Sequence, residues 1–326
     1  MSPGQVRTTT AAASDVGRKR SGNEDSFALW VSDDSGREHP ADTLLVVCDG
    51  MGGSNAGEVA SRIAVDAVVR TFQEAADDDA GEVLVQAVEA ANVEVWEHSR
   101  TRTDLNGMGT TCTVVALKGD AACVAHVGDS RAYLVRGGRA RQITTDHSLV
   151  AQLVARKQLT PDEARHDPRR NVVTRSVGVA QSVEVDVVRL DEPMRPGDTL
   201  LVCTDGLHGQ VTDDELGRLA SGESLDRAGR ELIQLANQRG GPDNITVAMA
   251  RREAPGDDPY APPRRAHAEE RGSPAKRRTL QLLIVALIAL LLALCGLAWV
   301  VFGMMHSQRQ DQTSLNANAA ARAGIR

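Results

Sequence analysis

The chain has 326 residues, room for one large or two ordinary domains. Its formal charge of −7 is mildly acidic, which speaks against a broad nucleic-acid surface. Aromatic residues make up 2% and hydrophobic residues 41%, so a core has to be built from Val, Leu, Ile and Ala.

Residues 1–16 are rich in Thr, Ala and Ser, form no signal peptide, and read as a flexible lead-in to a domain spanning 17–252. Leu44–Cys48 is a β-like run. Gly57–Ala75 and Gly81–Arg100 carry apolar residues at helical spacing and predict an antiparallel helix pair. Thr110–Leu117, Ala121–Val127 and Arg131–Val135 are β-like, with turns at Gly119-Asp120 and Gly137-Gly138. Further strands are expected at Val183–Leu190, Thr199–Cys203 and Ile245–Ala250. Thr212 with Glu215 makes a capping box for a short helix, and Ser224–Arg239 reads as a longer one. Helices grouped in blocks argue for an α+β class over a doubly wound parallel sheet.

Beyond the domain, 253–278 turns to Pro, Gly, Ala and charge and reads as a linker. Thr279–Met305 contains no charged residue and is long enough to cross a bilayer core of about 30 Å. It reads as a transmembrane helix, with Trp299 and Phe302 near one interface. Lys276-Arg277-Arg278 place the basic excess on its N-terminal side. The expectation is a single-pass protein of the cell membrane, its domain in the cytoplasm and a short tail, 306–326, outside. The five cysteines (Cys48, Cys112, Cys123, Cys203, Cys295) show no zinc or redox spacing and suit a reducing compartment. No Cys is followed six residues later by Arg, and there is no phosphate-binding Gly-rich lysine loop or kinase catalytic loop. Phosphate chemistry here would have to go through metal.

Four aspartates carry the strongest signal. Asp49, Asp129 and Asp205 each stand at or just past the end of a β-like run, and Asp243 stands just before one. Gly50 and Gly206 follow two of them. A single Asp-Gly is a common turn. Several strand-end carboxylates with close-approaching backbone are what hard divalent cations require, and converging in space they would make a multi-metal hydrolase site.

These stretches resemble the bacterial, metal-dependent serine/threonine protein phosphatases of type 2C. The resemblance runs from Arg20 to Arg251. Its elements are Arg20-Ser21-Gly22-Asn23-Glu24-Asp25, Asp49-Gly50-Met51-Gly52-Gly53, Gly109-Thr110-Thr111, His126-Val127-Gly128-Asp129-Ser130-Arg131, Asp205-Gly206-Leu207 and Asp243-Asn244-Ile245-Thr246-Val247. It implies two stacked antiparallel β-sheets flanked by helix pairs. It also implies two central Mn2+ or Mg2+ ions and a third beside them, with direct attack on the phosphoester by a hydroxide that the central pair shares.

Carried over residue by residue, Asp49 would bridge the central ions, the Gly50 carbonyl would bind one, and Asp205 and Asp243 would each ligate one. Arg20 would grip the substrate phosphate, with a plain surface arginine as the alternative. Glu24 would orient water, or merely cap a turn. Asp129 would hold the third ion, completed by Asn171 from a flap at about Asp146–Val179. Met51 stands where animal members carry a histidine, which leaves the proton donor open. His126 reads as a structural histidine, and Thr110 and Thr111 as hydrogen-bonding core residues. The substrates implied are phosphorylated proteins, including the Ser/Thr kinases that the enzyme would oppose at the membrane. A phosphatase dedicated to one partner, of the anti-sigma-antagonist type, and a silent binding module of the same fold are the competing readings. Neither accounts for a complete set of motifs.

Overall fold

A computed structural model describes residues 7–32, 39–52, 56–75 and 79–253. In chain order the strands are β1 (Thr8–Asp15), β2 (Asp25–Val31), β3 (Thr43–Met51), β4 (Gly109–Thr110), β5 (Cys112–Lys118), β6 (Ala121–Val127), β7 (Arg131–Arg136), β8 (Arg139–Gln142), β9 (Asp186–Arg189), β10 (Thr199–Cys203) and β11 (Ile245–Arg252). The α-helices are α1 (Ala56–Glu74), α2 (Ala80–Ser99), α3 (Leu149–Ala155), α4 (Pro161–His166), α5 (Asp205–His208), α6 (Asp213–Ala220) and α7 (Leu225–Gln238).

The strands form two antiparallel sheets. One has the order β1-β11-β10-β7-β8, the other β2-β3-β5-β6-β9, with β4 paired to the end of β3. The run Leu44–Cys48 shows why the strands read as continuous apolar segments. Leu44, Val46 and Cys48 face α1 and α2, while Leu45 and Val47 face Leu200, Val202 and Ala248 of the other sheet. Both faces are therefore buried, as the middle layers of a helix–sheet–sheet–helix stack must be. Leu45 is fully buried, and burial of such a side chain contributes about 1.5–3 kcal/mol. The second outer layer is α6 and α7, packed on Leu201, Cys203, Val247 and Met249. The Thr212–Glu215 capping box at α6 is formed as the sequence predicts.

Two expectations are corrected. The lead-in is not loose from Thr8 onward: β1 pairs with β11 from Thr8↔Arg252 to Asp15↔Ile245. It is an edge strand of Thr and Ala with only Ala11 fully buried, so it carries no alternating large apolar pattern to betray it. The strand expected over Val183–Leu190 shortens to Asp186–Arg189, a sheet edge along β6 with alternating exposure. The segment between β8 and β9, which contains the expected flap, carries the short helices α3 and α4.

Among the described residues no helix is long and apolar enough to cross a membrane. The linker, the expected span Thr279–Met305 and the tail lie outside the described residues.

Candidate active site

β3 and β10 end at the same edge of the sandwich, and the loops that leave them build one cavity of about 240 Å³. All eight residues singled out from sequence line it: Arg20, Glu24, Asp49, Gly50, Asp129, Asn171, Asp205 and Asp243. Met51, Gly52, Thr111 and Val173 complete the wall. Asp49 and Asp129 leave strands of one sheet, whereas Asp205 and Asp243 flank strands of the other.

Backbone contacts fix Asp49, Asp129 and Asp205 in place. The Asp49 N–H donates to Thr111 Oγ1 at 2.8 Å. Its carbonyl accepts from Thr110 Oγ1 and from the Thr111 N–H, each at 2.9 Å. Thr110 and Thr111 are thus the clamp on Asp49, a role that type and spacing alone did not reveal. Gly50 has no room for a side chain, since a Cβ would lie 2.1 Å from the Gly57 carbonyl oxygen. Asp205 opens α5, and Gly206 behind it packs against the Asn244 carbonyl, where a Cβ would lie at 1.9 Å. The Asp129 carbonyl accepts from His208 Nε2 at 3.0 Å.

Asp243 Oδ2 accepts from Arg20 at 2.8 Å, and Arg20 also stands 3.6 Å from Glu24. Burial opposes the Arg20 charge, but the hydrogen bond and charge of Asp243, helped by Glu24 and Asp49, outweigh it and hold the guanidinium protonated. Asn244 ties the Arg20–Glu24 loop in place. Its Oδ1 accepts from the Glu24 N–H at 2.8 Å, and its Nδ2 donates to the carbonyls of Val16 and Gly22 at 2.9 and 2.8 Å.

Sequence reasoning passed over Asp25, which it met only as the last letter of a motif. Asp25 lies directly across from Asp49 in the β2–β3 ladder and is 8% exposed. Thr204 Oγ1 donates to its Oδ2 at 3.0 Å, while its Oδ1 and the Asp205 Oδ1 are buried without any hydrogen-bond partner. A carboxylate opening an otherwise apolar strand is the signal that marks it. No histidine lines the cavity. His126 lies outside the wall: its Nδ1 bonds Thr113 Oγ1 at 2.9 Å, its Nε2 is buried without a hydrogen-bond partner, and burial pushes its pKa down to about 4.

Burial, reinforced by the neighbouring carboxylates, pushes Asp49 well above the usual range. Burial likewise pushes Asp129 and Asp25 up to about 7, with other aspartates adding to it. Among the described residues no three of these groups already converge as a finished ligand cage. Even so, all-oxygen donors that are wholly or partly buried, with the Asp205 Oδ1 in the wall and the Asp25 Oδ1 behind it lacking hydrogen-bond partners, suit hard divalent cations. The residues present fit such ions.

Residues 18–249 match the protein phosphatase 2C family. The serine/threonine phosphatase stp of Listeria monocytogenes is 36% identical over 244 residues, 73% of this chain and 94% of that protein. The crystal structure of the Mycobacterium tuberculosis serine/threonine phosphatase PstP/Ppp matches with a TM-score of 0.68 at 36% identity, over 76% of this chain and 100% of that one. The catalytic domain of the serine/threonine phosphatase PstP in complex with two manganese ions matches at 0.66 and 34% identity, over 76% of this chain and 99% of that one. At this identity and coverage, the chain belongs to the protein phosphatase 2C family.

Proposed function

We propose that the cavity hydrolyses phosphoserine and phosphothreonine on proteins, with two Mn2+ or Mg2+ ions held by Asp49, the Gly50 carbonyl, Asp205 and Asp243. The enzyme is a metal-dependent protein serine/threonine phosphatase. One observation carries the reading: carboxylates from both sheets converge on a cavity whose one cationic wall group, among the described residues, is the Arg20 guanidinium. When bound, such ions supply an activated water and neutralise charge on the phosphoryl oxygens.

The rest falls to the protein. Arg20, half-exposed and fixed by Asp243, has N–H donors left to grip the dianionic phosphate and set its orientation. Glu24, raised by burial, orients water at the cavity wall. Asp129 and Asn171 offer a further oxygen pair for a third ion. Asn171 and Val173 bring the flap into the wall, where it limits solvent access and shapes the approach of the phosphorylated segment.

Ser/Thr kinases are the proposed substrates and partners, and Thr279–Met305 the proposed membrane anchor. The uncharged length of that stretch and the basic Lys276-Arg277-Arg278 beside it support a cytoplasmic domain. A shared membrane would raise the local concentration of enzyme and kinase.

The test is hydrolysis of phosphoserine and phosphothreonine peptides by the full-length protein with Mn2+, and again after chelation. Turnover that persists after thorough chelation refutes the metal mechanism. A reporter fused after Arg326 should behave as extracytoplasmic. Cytoplasmic reporter activity refutes the anchor.

A further inference from the structure

Asn92 lies on α2, outside the cavity, and is 1% exposed. A buried amide has to find its partners within the protein, and those of the Asn92 side chain lie on one segment, the limb by which the chain returns from the flap. Its Oδ1 accepts from the Gly178 N–H at 2.8 Å. Its Nδ2 donates to the Ala180 and Gln181 carbonyls at 3.0 and 3.2 Å. The side chain thus presents a donor and an acceptor to the limb much as a neighbouring strand would.

The limb has no slack at this point. Gly178 adopts φ +86°, and a Cβ there would lie 2.1 Å from Val95 Cγ1. Gly109 leaves no room for a Cβ either, since one would lie 2.7 Å from Val179. One residue before Gly178, Val177 exchanges both backbone hydrogen bonds with Thr110, at 3.0 and 2.8 Å. Thr110 in turn donates its hydroxyl to the Asp49 carbonyl. A continuous path therefore runs from Asn92 through Gly178, Val177 and Thr110 to Asp49. Every link in it is a hydrogen bond or a peptide bond.

We propose that Asn92 is a positioning residue for the reaction: it fixes the returning limb of the flap against Thr110 and thereby sets where the Asp49 carboxylate stands. The inference rests on the reading of Asp49 as a cation ligand. It gives the flap two tasks at once, since the segment that walls the cavity through Asn171 also braces a ligand on the opposite sheet edge. Release of the limb would loosen substrate access and cation binding together.

The experiment compares full-length wild type with Asn92→Ala, and with Val68→Ala as a core truncation on α1. Free Mn2+ is counted by electron paramagnetic resonance during titration, turnover is followed on p-nitrophenyl phosphate, and amide exchange is read at Thr110 and Val177. Asn92→Ala should weaken Mn2+ binding by about 3- to 30-fold, with faster exchange at both amides, because changes along such a network shift coupling on this scale. Val68→Ala should lower the melting temperature and leave Mn2+ binding unchanged. If Asn92→Ala is not recovered folded, Asn92→Asp keeps the size and the Gly178 bond, loses both donations, and should show the same weakening. An Asn92 variant that melts lower yet binds Mn2+ like the wild type overturns the inference. Failure of the wild type itself to bind Mn2+ or to hydrolyse the ester overturns the metal reading instead.

Discussion

Asp25→Asn should stabilise the metal-stripped protein at pH 8. Asp25 is buried, one of its oxygens has no partner, and burial, with Asp205 and Asp243 adding, raises it from 3.8 to about 7. The folded protein therefore holds this proton more tightly than the unfolded chain does. Stability falls as pH rises from about 3.8 to about 7, and the full penalty remains above that window. That difference is worth roughly 4 kcal/mol at most, and some hydration of the cavity brings the expectation to roughly 2–4 kcal/mol. For a domain of this size the gain converts to a melting temperature higher by roughly 4–16 °C. Calorimetry in EDTA at pH 8 measures it directly. At pH 5 the gap should shrink by more than half, because the wild type then carries the proton. Mn2+ should also narrow it by offsetting the charge. An Asp25→Asn protein that melts below the wild type at pH 8 in EDTA would refute the reasoning.

Arg20→Ala should raise KM for a phosphopeptide about ten- to hundredfold, the worth of a charge-assisted contact of roughly 1.5–3 kcal/mol, with a smaller effect on kcat. Unchanged steady-state kinetics would leave Arg20 only its pairing with Asp243. Gly50→Ala must displace either the Gly57 carbonyl or β3, so Mn2+-dependent turnover should fall by more than tenfold; an active variant with normal Mn2+ binding would contradict that. His126, held neutral down to about 4, leaves the unfolded chain binding the extra proton, so stability drops as pH falls from 6.5 through about 4. His126→Asn should remove roughly 2–3 kcal/mol of that acid sensitivity, read as a shallower slope of melting temperature between pH 7 and pH 4. An unaltered slope would assign the sensitivity to other groups.

The cavity was more legible in the sequence than the fold was. Asp49, Asp129 and Asp205 announce themselves because each follows an apolar strand run, and that local pattern survives whatever the tertiary context. β1 was hidden for the opposite reason. An edge strand of Thr and Ala needs only one covered face, and β11 supplies the apolar side chains it lacks. Asn92 went unnoticed and the contacts of Asn244 could not be read from its motif, since a polar side chain does not say which distant carbonyl it will meet. Asn244 reaches Gly22, 222 residues away, and Asn92 reaches Gly178, 86 residues away. The Thr110–Thr111 clamp on Asp49 falls in the same class. Its motif was recognised, but its work depends on a ladder that only the folded chain assembles.

The division of the aspartates between the two sheets has a consequence for biogenesis. On the proposed assignment of the aspartates to cations, neither half of the sandwich owns a complete set of ligands: Asp49 and Asp129 arrive with one, Asp205 and Asp243 with the other. On that assignment, a newly made chain that has formed one sheet and not yet docked the second would lack the complete site. Ions that bind the docked state alone draw the folding equilibrium toward it, and more strongly as their concentration rises above the dissociation constant. The abundance of working enzyme would then follow the supply of divalent metal, even when synthesis of the chain is constant.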